Sequence, residues 1–167
     1  MDAGDPADDA ETWLRAVTNS THVRRGGVHH AAFRKWLAPR DDPQVDWKLE
    51  ISGDLRSLID NVADAAQKRV DDQKDKFRAK GEQVPSALQF CGVLYAKVAK
   101  LRSLSQPKCD VIYDPKPEDN AHANLVVRDH GVDKILTVTA ALLDCLIWAP
   151  KDQIAAIQEL CKGVCGR

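Results

Sequence analysis

Apolar residues recur along this chain in two periods, and the change from one to the other marks out its elements. Val45, Trp47, Leu49 and Ile51 alternate with Asp46, Lys48 and Glu50, the pattern of a strand buried on one face. Immediately beyond, Leu55, Leu58, Ile59, Val62 and Ala66 fall at helical spacing. This predicts a helix from Asp54 to Lys80, with Asp54 near its cap, where a carboxylate suits the dipole, and Gly81 as its stop. The second half, Lys68–Arg78, is almost all charge, with Val70 and Phe77 its only apolar residues. Asp72–Lys76 and Asp71–Lys74 are spaced for surface ion pairs. With so little to bury, this half is expected to project from the core as a solvated arm or to lie against a partner.

The remaining segments are shorter. Asp9 suits the cap of a short helix carrying Trp13, Leu14 and Val17, and Thr18–Gly27 reads as loop. Val28–Phe33 is too short to assign to strand or helix, and Pro39–Pro43 is a break. Leu88–Tyr95, Cys109–Tyr113 and His122–Val127 read as strands, with a short helix over Lys97–Leu104. Val132, Ile135, Leu136, Leu142, Leu143, Leu146 and Ile147 recur at helical spacing, and Pro150 suits the first turn of a final helix with Ile154, Ile157 and Leu160. Residues 1–9, acidic and small, are expected to be disordered, and 10–167 to form a single domain. The expected class is α+β: a small mixed or antiparallel sheet of about four strands, helices packed on one face, and one long projecting helix.

Composition narrows the partners. The 167 residues balance 24 basic against 25 acidic side chains, so nucleic acid is not indicated. The longest apolar stretch, Ile135–Ala149, is too short for a membrane span and contains Asp144. The first residues have neither a basic nor an apolar segment of a signal peptide. Cys91, Cys109, Cys145, Cys161 and Cys165 are an odd, scattered set, which fits reduced thiols and a cytoplasmic protein. Cys161-x-x-x-Cys165 lacks a second Cys/His pair, so no metal site is assigned, and no cofactor is implied.

None of the strong catalytic signatures occurs: no phosphate-binding glycine loop, no H-E-x-x-H, no C-x-x-C pair and no G-x-S-x-G elbow. Histidines and acids remain. His29 and His30 follow Arg24-Arg25-Gly26-Gly27, and His122 opens a strand just after the turn Asp114–Asn120, which its prolines stiffen. Two histidines from distant segments could do acid–base chemistry on a phosphodiester, with Arg24 or Arg25 neutralising charge. The plainer reading makes His30 and His122 structural hydrogen-bonders at loop–strand junctions, and it is favoured because no nucleophile or metal-ligand set is spaced near either. His30, Asp114 and His122 are the candidates for one shallow polar pocket for an anionic or polar group, with Arg24 and Arg25 beside it.

Gly27-Val28-x-x-x-Ala32-Phe33, an alternating strand, Gly92-Val93 before a short helix, and Asp114-Pro115-x-Pro117-x-x-x-Ala121-His122-Ala123-x-Leu125 together resemble a family of small uncharacterised bacterial proteins. That family shows an early G-x-V-x-x-x-A-F segment and a D-P-x-P…H-A segment ending in a strand. The resemblance spans about residues 20–130. It departs at Trp47-Lys48-Leu49-Glu50, where the family carries a Leu-Ser-Val core, and the charged arm looks like an insertion. Family members resemble accessory genes of conflict or defence loci. The implied function is a non-enzymatic accessory or adaptor protein that binds a protein partner. The alternative is a small hydrolase or nuclease using His30, His122 and Asp114. Oligomeric state is left open.

Overall fold

The computed structural model describes residues 1–25, 27–29, 32–33, 49–128, 135–155 and 158. Strands β1 (Thr12–Asn19), β4 (Leu49–Leu55), β5 (Leu88–Lys97), β6 (Lys108–Tyr113), β7 (His122–Arg128) and β8 (Ile147–Pro150) form one antiparallel sheet in the order β6-β7-β4-β1-β5-β8. A separate two-stranded ribbon joins β2 (Val23–Arg24) to β3 (Gly27–Val28). The described residues include the helices α1 (Val62–Ala79), α2 (Val98–Arg102) and α3 (Ile135–Cys145). The class is α+β as expected, but the sheet is larger than four strands. None of these helices is long and apolar enough to cross a membrane.

Helices cover both faces of the sheet, not one. Trp13, Val17, Ile51, Leu55, Leu125 and Val127 pack with Val98 and Leu101 of α2 and Leu142 of α3. Leu14 and Val93, neighbours of opposite parity, pack instead with Val62, Ala66 and Val70 of α1. This double burial explains why Trp13, Leu14 and Val17 belong to a strand and not to the short helix expected from their spacing. A strand covered on both sides loses its alternation, and its apolar run imitates a helical face. Between β1 and β4 the backbones approach closely. A Cβ on Gly53 would stand 2.3 Å from Trp13 Cε2 and 2.4 Å from the Leu14 carbonyl oxygen, while the Trp13 indole N–H donates to the Ala123 carbonyl at 3.3 Å.

The long helix is shorter than its period suggests and starts later. Asp54 and Leu55 are still strand, the Leu55 N–H donating to the Ala121 carbonyl at 2.8 Å. Arg56–Leu58 is a single 3-10 turn. Asn61 is the true cap: its side-chain oxygen accepts from Ala63 and Asp64 N–H at 2.9 and 3.2 Å, and Asp64 supplies the first-turn carboxylate. The stop at Gly81 holds. Gly81, at φ +69, and Glu82 return N–H groups to the Arg78 and Phe77 carbonyls, the left-handed closure that glycine favours. The charged half does not project as an arm. Val70 is fully buried, and Phe77 packs with Val84 against the core below α1. Asp71–Lys74 forms at 3.7 Å, and Asp75–Arg78 forms at 2.7 Å.

Other expectations shift by register. β4 runs over Leu49–Leu55, while Val45 and Trp47 lie outside the described residues. Helix α3 stops at Cys145, and Ile147 is an exposed strand residue beside β5. Pro150 ends that strand before a 3-10 turn, Lys151–Gln153. Residues 4–7, expected to be disordered, run along the outer edge of β6. Gly4 and Ala7 N–H donate to the Tyr113 and Val111 carbonyls at 2.8 Å, Tyr113 N–H donates to Asp5, and Ala7 is buried.

Candidate polar cleft between the long helix and the β6–β7 turn

Strand β7 sorts its residues by parity. Ala123, Leu125 and Val127 enter the core beneath α2 and α3, so His122 and Asn124 point to the face that carries α1. On β4 the same alternation sends Ile51 and Leu55 one way and Asp54 the other. The antiparallel register sets Asp54 directly opposite His122, close enough for their side chains to sense each other. Helix α1 crosses above them and lowers Arg69 onto the pair.

Arg69 binds two carboxylates at once. Its Nε donates to Asp54 Oδ2 at 3.1 Å and its Nη2 to Asp54 Oδ1, and Nη2 also reaches Asp119 Oδ2 at 2.6 Å. Asp119 is fixed by the tight turn, where its N–H and carbonyl exchange bonds with Lys116 at 2.9 Å. Burial pushes the Asp54 carboxyl above its ordinary range; the Arg69 charge opposes that rise and Asp119 adds to it. Farther along, Arg15 donates to the Ser52 carbonyl. Burial, then the Arg69 charge, lower its pKa to about 10, against the pull of Asp54.

His122 is held from behind. Its Nδ1 lies 2.7 Å from the Asp114 carbonyl oxygen. A carbonyl only accepts, so Nδ1 carries a proton. The side chain is 9% exposed and lines the cleft, and among the described residues nothing hydrogen-bonds Nε2. The Asp114 carboxylate accepts from Lys116 Nζ at 2.6 Å and Asn124 Nδ2 at 2.9 Å. The Lys116 hydrogen bond above all holds its carboxyl below the usual range.

Asp54, Arg69, Asp119 and His122 line a cleft of about 610 Å³ between α1 and the β6–β7 turn, a size typical of ligand sites. Its helix wall presents Asp64, Lys68, Asp72 and Lys76, four residues apart on one stripe, all exposed. The opposite wall is the turn, with Lys116 and Glu118. Among the described residues no three metal-ligating side chains come together.

The structure brings His122 and Asp114 together, but with Asp114 behind the ring and not in the cleft. Arg24 and Arg25 sit on the separate ribbon and do not line the cleft. His30 lies outside the described residues. Sequence reasoning missed Asp54, Arg69 and Asp119. The only available signal was the parity of Asp54 among apolar neighbours, since the cross-strand register that pairs it with His122 is not written locally. The chain matches no protein-family model. No curated protein matches it, and no solved structure does.

Proposed function

We propose that this protein is a non-enzymatic accessory or adaptor protein that binds a protein partner through the cleft formed by α1 and the β6–β7 turn. One observation carries the reading: the rim holds exposed charges of both signs that have no ion-pair partner among the described residues, Asp64, Asp72 and Glu118 with Lys68 and Lys76. Solvated helix faces are common, but here the charges border a concave space of ligand size. Among the described residues the lining includes no Ser, Thr or Cys, so a hydroxyl or thiol nucleophile is not among them. The resemblance to accessory proteins of bacterial conflict or defence loci supports the same role, in the cytoplasm.

A hydrolase or nuclease is the second reading, favoured by the free Nε2 of His122 beside the buried Asp54. His30 and Asp114 would complete it. The two readings separate by experiment. A photo-crosslinking residue replaces Asp72 on the cleft rim or, as control, Lys100 on α2, in cells that make the protein. The adaptor reading expects a discrete protein adduct from position 72, lost on Asp64→Lys and absent from position 100. Equal adducts from both positions, or none, overturn it. If His122→Ala abolishes function in a folded protein whose adduct persists, the enzymatic reading takes its place.

A further inference from the structure

Helix α1 makes its own ion pairs along one line and leaves a second line without any. Asp71–Lys74 and Asp75–Arg78 close at 3.7 and 2.7 Å, and none of these four residues lines the cleft. Asp64, Lys68, Asp72 and Lys76 do line it, and all four are exposed. Their four-residue spacing would let each reach the next, yet among the described residues none has an ion-pair partner. A row of residues four apart is a ridge of the helix surface, here about 18 Å long. Along it the signs run minus, plus, minus, plus.

That order is complementary to itself. Asp64 and Lys76 lie equally far from Val70, as do Lys68 and Asp72, and each pair is of opposite sign. A second ridge turned end for end sets each Asp64 against a Lys76 and each Lys68 against an Asp72, four attractive contacts in all. In parallel, every residue meets its own charge. Shifting the antiparallel pair by four residues in either direction also sets like against like. The charges thus select one direction and one register, as they do in paired helices. A two-fold axis demands this pattern, because a surface meets itself only where residue i answers j and j answers i. We propose that a second copy of this chain docks on α1, antiparallel and centred at the height of Val70, so that the two clefts open on a common axis. This goes beyond the adaptor reading and does not depend on it. Exposed ion pairs are individually weak, so the contact is a reversible, salt-sensitive dimer whose charges set orientation more than strength.

Sedimentation equilibrium of the full chain tests it, at low salt and at ~0.5 M salt, where exposed charges are screened. The unaltered chain is expected to dimerise reversibly at low salt, and the higher salt to weaken the dimer about tenfold, ~1.4 kcal/mol. Asp64→Lys/Asp72→Lys leaves four positive charges on the ridge, and Lys68→Glu/Lys76→Glu leaves four negative ones. Each variant alone should be monomeric where the unaltered chain dimerises, and an equimolar mixture of the two should dimerise. Exchanging all four, Asp64→Lys/Lys68→Glu/Asp72→Lys/Lys76→Glu, restores the complementarity and should restore the dimer. All four positions are exposed, and Lys68→Glu/Lys76→Glu keeps the first-turn Asp64, so circular dichroism should show a folded chain. A monomeric unaltered chain overturns the proposal, as does either like-charged variant dimerising as well as the unaltered chain. A mixture or a fourfold exchange that stays monomeric overturns it too. A monomeric chain that still gives an adduct to another protein in cells defeats this inference alone. A dimer with no such adduct defeats the adaptor reading alone.

Discussion

Replacing Arg69 with methionine would remove the guanidinium from the cleft floor while keeping an unbranched apolar stem. Arg69 answers both Asp54 and Asp119, so the substitution strands a carboxylate whose side chain is 9% exposed. Breaking a buried pair from one side costs ~3–5 kcal/mol. The Arg69 side chain is itself 29% exposed, and solvent screens part of the loss, so we expect about 2 kcal/mol at neutral pH. The pH dependence identifies the cause. Burial already raises the Asp54 carboxyl above its ordinary value of 3.8, and the Arg69 charge is the strongest influence holding it down. Without Arg69 it rises further. A carboxyl raised in the folded state favours folding when protonated; that contribution is complete below the unfolded value and is lost as pH rises through the folded value. The deficit of Arg69→Met is therefore largest near neutrality and shrinks as pH falls through the folded Asp54 value towards 3.8. Urea unfolding followed by circular dichroism at several pH values measures it. Asp54→Asn alone should cost about 1 kcal/mol, because Arg69 keeps Asp119. Adding it to Arg69→Met should recover most of the loss. A deficit constant across pH, or a double variant no more stable than Arg69→Met, would refute the reasoning.

Gly53→Ala should cost about 3 kcal/mol or more in the same unfolding assay, because the new methyl meets a fully buried indole and a paired carbonyl at 2.3 and 2.4 Å, and neither can retreat. An unchanged midpoint would show that β1 and β4 separate easily. Asn61→Ala should cost about 1 kcal/mol through loss of the helix cap, and hydrogen exchange should quicken first at Ala63 and Asp64, whose N–H groups lose their acceptor. Burial pushes the Cys109 thiol up to about 12, so iodoacetamide at mildly alkaline pH should modify it only as the protein unfolds, which mass spectrometry of trapped peptides would show.

Legibility in the sequence followed burial geometry. Strands at Leu88, Cys109 and His122 announced themselves because β-branched and apolar residues cluster between turn formers, and the structure places β5, β6 and β7 there. Gly81 was readable because the left-handed closing residue of a helix has few alternatives. β1 was not: Trp13 and Leu14 face opposite cores, and two buried faces erase the two-residue period. The start of α1 was hidden because Leu55, Leu58 and Ile59 are apolar for a strand end and a turn, at intervals that imitate a helix. Of the site, His122 after its rigid turn was visible as local sequence. Its companions Asp54, Arg69 and Asp119 come from a neighbouring strand, a helix and the turn itself. Only tertiary register assembles them, and no spacing rule along one segment encodes that.

The treatment of the sheet's two borders has a bearing on how recognition can evolve. At one border residues 4–7 already occupy the main-chain groups of β6, and at the other β8 has four residues and ends in a proline. Strand addition, the least selective way to recruit another chain, finds a filled template on one side and a short, interrupted one on the other. Association through the cleft would be written instead in side chains on a helix surface and a turn. Those can be exchanged one at a time without disturbing a ladder hydrogen bond, so the choice of partner can drift under selection while the scaffold is inherited unchanged.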